Sequence, residues 1–231
     1  MSNLKFPGFD IDLLHFLDEL SHNNNRDWFA ANKDRYEQAV RGPALAFIDA
    51  MAVPLKKASP HFQAIAKKTG GSLMRIYRDT RFGHDKTPYK TNVGIHFRHE
   101  LGKDVHAPGF YLHIEPESVF FGAGIWRPDS PTLASIRNAI DSFPPKWKRA
   151  RDAKAFRENF ELQGDSLKRP PRGYDADHRF IEDLKRKDFI GVMEMSVDCL
   201  FDPSIVPEVG QAMKNAKPFM RFLCDAIHVD F

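Results

Sequence analysis

The chain has 231 residues, with 34 Lys/Arg against 31 Asp/Glu, a formal charge of +3 and a pI near 8.8. At 42% hydrophobic and 28% charged it has a globular make-up, not that of a disordered, collagenous or coiled-coil chain. Cys199 and Cys224 are too few for a disulfide scaffold or a four-thiolate zinc site, and no apolar run approaches the ~20 residues of a membrane helix.

The opening MSNLKFPGFD lacks the hydrophobic core of a signal peptide, so a soluble, cytoplasmic protein is expected. Asp10 or Asp12 can cap a first helix carrying Leu13, Leu14, Phe16, Leu17 and Leu20 at helical spacing. The loop SHNNN ends in Asn25, a cap for a helix over Asp27–Val40. Asn24 to Asp27, at its start, could receive an anion or simply cap it. Gly42-Pro43 stops that helix and starts another, with Pro54 bending its end.

From Gly70 the period changes from about 3.6 to 2, and Leu73–Arg78, Thr91–Arg98, Gly109–Glu115 and Ser118–Ala123 read as strands. Glu115-Pro116-Glu117-Ser118 is a hairpin turn. Helices return over Leu133–Asp141, after Pro145, after Asp152, and from Asp175 or Asp177 to about Lys187. Ile190–Val197 is a further strand, and Asp202-Pro203 opens C-terminal helices. Helices, then strands, then helices point to an α+β fold: a largely antiparallel sheet of about four to six strands flanked by N-terminal and C-terminal helices. A single domain over 1–231 is expected, with helices at about 10–58, the sheet at about 70–124 and the helical remainder at about 130–231.

No phosphate-binding loop, dinucleotide fingerprint or nucleophile elbow is present, and no cofactor is specified. His99-Glu100 begins like a zinc-protease helix, but Lys103 stands where that motif demands His. The two cysteines sit in apolar surroundings and read as structural thiols.

Charge is uneven. Residues 75–98 hold six Lys/Arg against two Asp, and residues 146–187 hold thirteen against eight acids. The second zone alternates in sign, as solvated helix faces do; the first interleaves cations with glycine, proline and aromatics. Strand alternation puts Arg75, Tyr77, His96, Arg98, Tyr111, His113 and Glu115 on one sheet face. A solvated face would carry Lys, Glu, Thr and Ser. Guanidinium groups instead hold phosphate or carboxylate in a fork, and a His beside a carboxylate moves protons. The alternative is that a helix covers this face and the side chains satisfy one another. His96, His113 and Glu115 could also form a three-ligand metal site, a weaker reading because nothing fixes their separation. Gly122, Gly124 and Trp126 could admit a ligand to the backbone or make a bulge. Arg172-Gly173-Tyr174, after two prolines, makes a rigid turn or a pocket wall.

NNNRDWFAANKDRYE (23–37), RIYRDTRFGHDKTPYKTN (75–92), GFYLHIEPESVFFGAGIW (109–126), the Leu133–Ile140 helix with Arg137, and LKRPPRGYDADH (167–178) together resemble the family called domain of unknown function 2461. Members usually carry Ser-Lys where this chain has Gly83-His84. The resemblance implies an intracellular α+β domain and brings no activity, cofactor or catalytic residue with it.

The leading expectation is a basic pocket on one sheet face for a small phosphate- or carboxylate-bearing ligand. Arg75, Tyr77, Arg78, Arg81, Lys86, Tyr89, Lys90, Arg98 and Tyr111 would bind it, with Arg78 and Arg81 essential. His113 assisted by Glu115, with His96, would move a proton. The rival is a non-enzymatic nucleic-acid or protein-binding module in which Phe82, Tyr89 and Phe97 stack between phosphate contacts, although +3 is weak for a nucleic-acid binder.

Overall fold

The computed structural model describes residues 6–81, 84–102 and 106–231; the expectations for Phe82, Gly83 and Lys103 lie outside them. The N-terminal layer is helical: α1 (Asp12–His22), α2 (Arg26–Ala31), α3 (Lys33–Arg35), a π-helical stretch over Tyr36–Arg41, and α4 (Gly42–Ala58). Asn25 caps α2 as expected, its side-chain oxygen accepting the Trp28 N–H at 2.9 Å. The single helix expected over Asp27–Val40 is instead divided at Asn32, whose side chain donates back to the Trp28 carbonyl. A polar side chain competing with the backbone in this way disfavours a helix interior. Gly42 does not interrupt the chain, which runs from the π-helical turns directly into α4.

Five strands form one antiparallel sheet in the order β1-β2-β3-β5-β4, with β1 (Val93–Arg98), β2 (Gly109–Glu115), β3 (Ser118–Ile125), β4 (Glu161–Gln163) and β5 (Phe189–Met195). Together with the flanking helices this is an α+β fold. The hairpin register sets Tyr111 opposite His96 and Gly122, and His113 opposite Gly94 and Phe120.

Residues 73–78 do not form the expected continuous strand. Met74 N–H reaches Gly94 and Ser72 accepts from His96, but two residues later the partner changes. Arg78 N–H bonds Pro88, and Lys90 N–H bonds Ile76. Two short pairings with different partners leave isolated bridges, Leu73 to Ile95 and Tyr77 to Tyr89. The described residues 76–81 and 84–90 thereby make a connector whose two arms pair with each other. Asn24 ties it down through two 3.0 Å hydrogen bonds, one to each side of the Tyr89 peptide, while Phe29 stacks on the Tyr89 ring at 4.1 Å.

The C-terminal part contains α5 (Ser130–Ser142), capped by Asp129, then α6 (Pro144–Arg151) and α7 (Lys154–Arg157). The helix expected up to Lys187 shrinks to α8 (Ile181–Leu184), because Leu167 and Lys187 use their N–H groups in extended pairing with Lys185 and Asp165. After a 3₁₀ turn (Val197–Phe201), one long helix, α9 (Ile205–Ala226), replaces the expected series.

One sheet face is fully apolar. Ile95, Phe97, Phe110, Leu112, Ile114, Phe121 and Ile125 are completely buried, and α9 packs on β3 while also meeting α4. Each such side chain removed from water contributes roughly 1.5–3 kcal/mol. The opposite face carries the alternate residues of the same strands, and His96, Tyr111, His113 and Glu115 there are only partly buried. No helix among the described residues is long and apolar enough to cross a membrane.

Candidate functional site

The half-open sheet face contains a hollow of about 420 Å³. Its floor is nearly free of side chains. Gly109 and Gly124 are cross-strand partners, and Gly122 lies opposite Tyr111. At two of these positions a side chain would meet atoms already in place. A Cβ at Gly109 would overlap the His96 ring, and one at Gly124, where φ is +142°, would run into the Phe189 carbonyl. Gly122 differs: a Cβ there would have its nearest neighbours at 3.8 Å, ordinary contact, and would stand in the hollow. Phe120, Trp126, Ile190 and Val192 supply apolar walls, while Lys90, Asn92, His96, Tyr111 and His113 supply the polar ones.

The polar groups are connected. His113 Nε2 lies 3.3 Å from Glu115 Oε2, and Nδ1 lies 3.2 Å from the Tyr111 hydroxyl and 3.4 Å from the Asn92 amide nitrogen. A carboxylate only accepts, so Nε2 carries the proton toward Glu115, and the single Nδ1 lone pair is left to accept from Tyr111, to which Asn92 is itself hydrogen-bonded. Thr91 Oγ1 donates to the other Glu115 oxygen at 3.3 Å. The Phe120 ring stacks on the imidazole at 4.6 Å, nearly parallel, and fixes its plane. Burial, with a smaller push from Glu115, raises the Tyr111 hydroxyl to about 12, so it stays neutral at the edge of the hollow. Burial and then the charge of Arg75 depress the Lys90 ammonium below its ordinary value.

The residues expected to act together are divided between two places. Lys90, His96, Tyr111 and His113 line the sheet hollow, with Glu115 behind His113. Tyr77, Arg78, Lys86 and Tyr89 instead line a wide-mouthed cleft of about 630 Å³ between the connector and residues 24–26. Arg78 there pairs with Asp85 at 2.6 Å, and Lys86 donates to the Thr80 carbonyl. Arg81 lines neither; it forks onto Asp79 at 2.7 and 2.9 Å. Arg98 reaches the Gly70 carbonyl, and exposed Arg75 acts on the hollow only through its charge beside Lys90. The turn at Arg172–Tyr174 lines neither cavity. Among the described residues no three His, Cys, Asp or Glu side chains gather to hold a metal ion, so His96 does not join His113 and Glu115 in a ligand set.

Asn92 and Phe120 were not among the expected site residues. Both were accessible from hairpin register: Asn92 shares the parity of His96, and a turn at 115–118 sets Phe120 opposite His113.

No curated protein and no solved structure matches the chain. A family model does, over residues 12–222, which takes in both cavities and all five strands: the chain belongs to the conserved hypothetical protein family DUF2461.

Proposed function

We propose that the sheet hollow binds a small ligand bearing a carboxylate or phosphate and exchanges a proton with it. The observation that carries this reading is the hydrogen-bonded series Glu115–His113–Tyr111, which ends in a cavity that Lys90 also lines. Lys90 attracts the anionic group. The Tyr111 hydroxyl, its own proton donated to His113, turns its oxygen to the bound molecule as acceptor; as it takes a proton from the ligand His113 takes the phenolic one, and Glu115 offsets the charge that then develops on the imidazole. Asn92 and Phe120 keep the ring in register, and the apolar walls exclude water, which strengthens every polar contact inside.

Titration calorimetry in two buffers of different ionisation enthalpy tests the reading, using a panel of small carboxylates and phosphates. Wild-type protein is expected to bind a member of the panel with net proton exchange, and His113→Gln to lose that exchange. A ligand at a hundred times its dissociation constant should stabilise the fold by about 2.7 kcal/mol. Unchanged affinity and unchanged proton exchange in His113→Gln would remove the proposal.

A further inference from the structure

The hollow's shape and charge narrow the ligand class, an inference that rests on the function just proposed. We infer that the natural ligand is a planar, largely apolar molecule carrying a single carboxylate, laid flat on the glycine floor with its carboxylate at Lys90.

The floor is the first reason. Gly122 leaves open space above the sheet backbone where an ordinary residue would project a side chain, and Gly109 and Gly124, which carry none, flank it in the lining with the His96 ring over Gly109. Bare peptide planes form a flat bed, and a flat ring makes the closest contact with it. Phe120, Trp126, Ile190 and Val192 surround that bed with aromatic and branched surface. Walls of this type gain from burying an apolar body and would leave the hydroxyls of a sugar or polyol unpaired.

Charge is the second reason. Among the described lining residues Lys90 is the one Lys or Arg, and the charge acting on it is that of Arg75, not a carboxylate of the described residues. One ammonium in a water-poor hollow balances one negative charge. A phosphate monoester brings about −1.5 to −2 at neutral pH, so part of its charge would stay uncompensated there. Of the guanidinium groups that could match a dianion, Arg75 is solvent-exposed and outside the lining, and Arg78 and Arg81 lie on the connector, paired with Asp85 and Asp79.

Calorimetry with three probes separates the possibilities: naphthoate, its neutral isostere naphthamide, and inorganic phosphate. Naphthoate should bind at least about tenfold more tightly than naphthamide, the worth of one charge-assisted contact, and phosphate should not displace it. Lys90→Met should bring naphthoate down to the naphthamide level and leave naphthamide unchanged. Gly122→Val, whose Cβ would meet nothing closer than 3.8 Å, should abolish binding of both aromatic probes at nearly unchanged melting temperature, with Gly122→Ala as the milder step if valine disturbs folding. Phosphate binding that displaces naphthoate and is lost in Gly122→Val would overturn the ligand class while keeping the site. No binding by any probe, or binding indifferent to both Gly122 variants, would remove the site as well.

Discussion

The sheet hollow and the connector cleft draw on one stretch of sequence and are built in opposite ways. The hollow stands on four paired strands whose other face is the core, so its side chains inherit positions from the backbone register. The cleft stands on turns, held by the Asn24 clamp and the Phe29–Tyr89 stack. Their charges differ in the same sense. Connector arginines spend their hydrogen bonds on Asp79 and Asp85 in open solvent, where such pairs are worth little, whereas Lys90 sits in a drier place with no acid among the described residues acting on it. A region rich in positive charge is therefore not the region best arranged to hold an anion; pairing and burial decide.

The comparison can be broken most severely at the hollow's floor. Gly124→Val forces a side chain against the Phe189 carbonyl at a φ of +142° and should cost about 3 kcal/mol or more in denaturant unfolding. A near-neutral result would mean that β3 and β5 are not packed as described. Next comes the clamp: Asn24→Ala strands both polar groups of the half-buried Tyr89 peptide and should cost roughly 1–3 kcal/mol. Hydrogen exchange should then rise in residues 76–90 and stay unchanged in β1 to β3; an increase in the strands would tie the two regions together.

Opposite ends of the pH scale sharpen the contrast. Hydrogen bonds from Arg81 and the Thr87 turn hold Asp79 and Asp85 below the ordinary carboxylate range. Groups lowered in the folded state contribute stability above their unfolded pKa of about 3.9 and lose it as pH falls through the lower folded values. Amide exchange in the connector should therefore increase on acidification. Tyr111 works the other way. Raised from 10.0 to about 12, it keeps its proton in the folded protein where the unfolded chain releases it. Its contribution is complete below pH 10 and disappears as pH climbs toward 12, so Tyr111→Phe should flatten the alkaline limb of the stability curve. An unaltered limb would contradict the burial of that hydroxyl. The smallest effect is expected from Arg78→Ala and Arg81→Ala, whose exposed ion pairs contribute little to stability and which should be neutral toward ligands of the hollow. Loss of that binding would restore these arginines to the site.

Much of this arrangement is written in local pattern. Alternation alone delimits Gly109–Glu115 to the residue, and the Glu115–Ser118 turn sets the hairpin that follows. The His113–Glu115 hydrogen bond follows from two residues of one strand sharing a face. Long-range choices were less legible. Alternation continues through Leu73–Arg78, but its hydrogen bonds change partner between Met74 and Arg78, which periodicity does not record. The grouping of Arg78 and Arg81 with the sheet face failed for a related reason. Counting cations along 75–98 ignores turns that bring Asp79 and Asp85 onto them. The helix expected before Lys187 gave way because Ser166 and Arg186 bridge in extended form.

Histidine-selective NMR on isotope-labelled protein tests the ligand site most directly. During titration with naphthoate, the His113 ring signals should shift along the calorimetric binding curve, while those of His84 on the connector stay in place. Movement of His84 with His113 unmoved would put the ligand on the connector and refute the sheet hollow as its site.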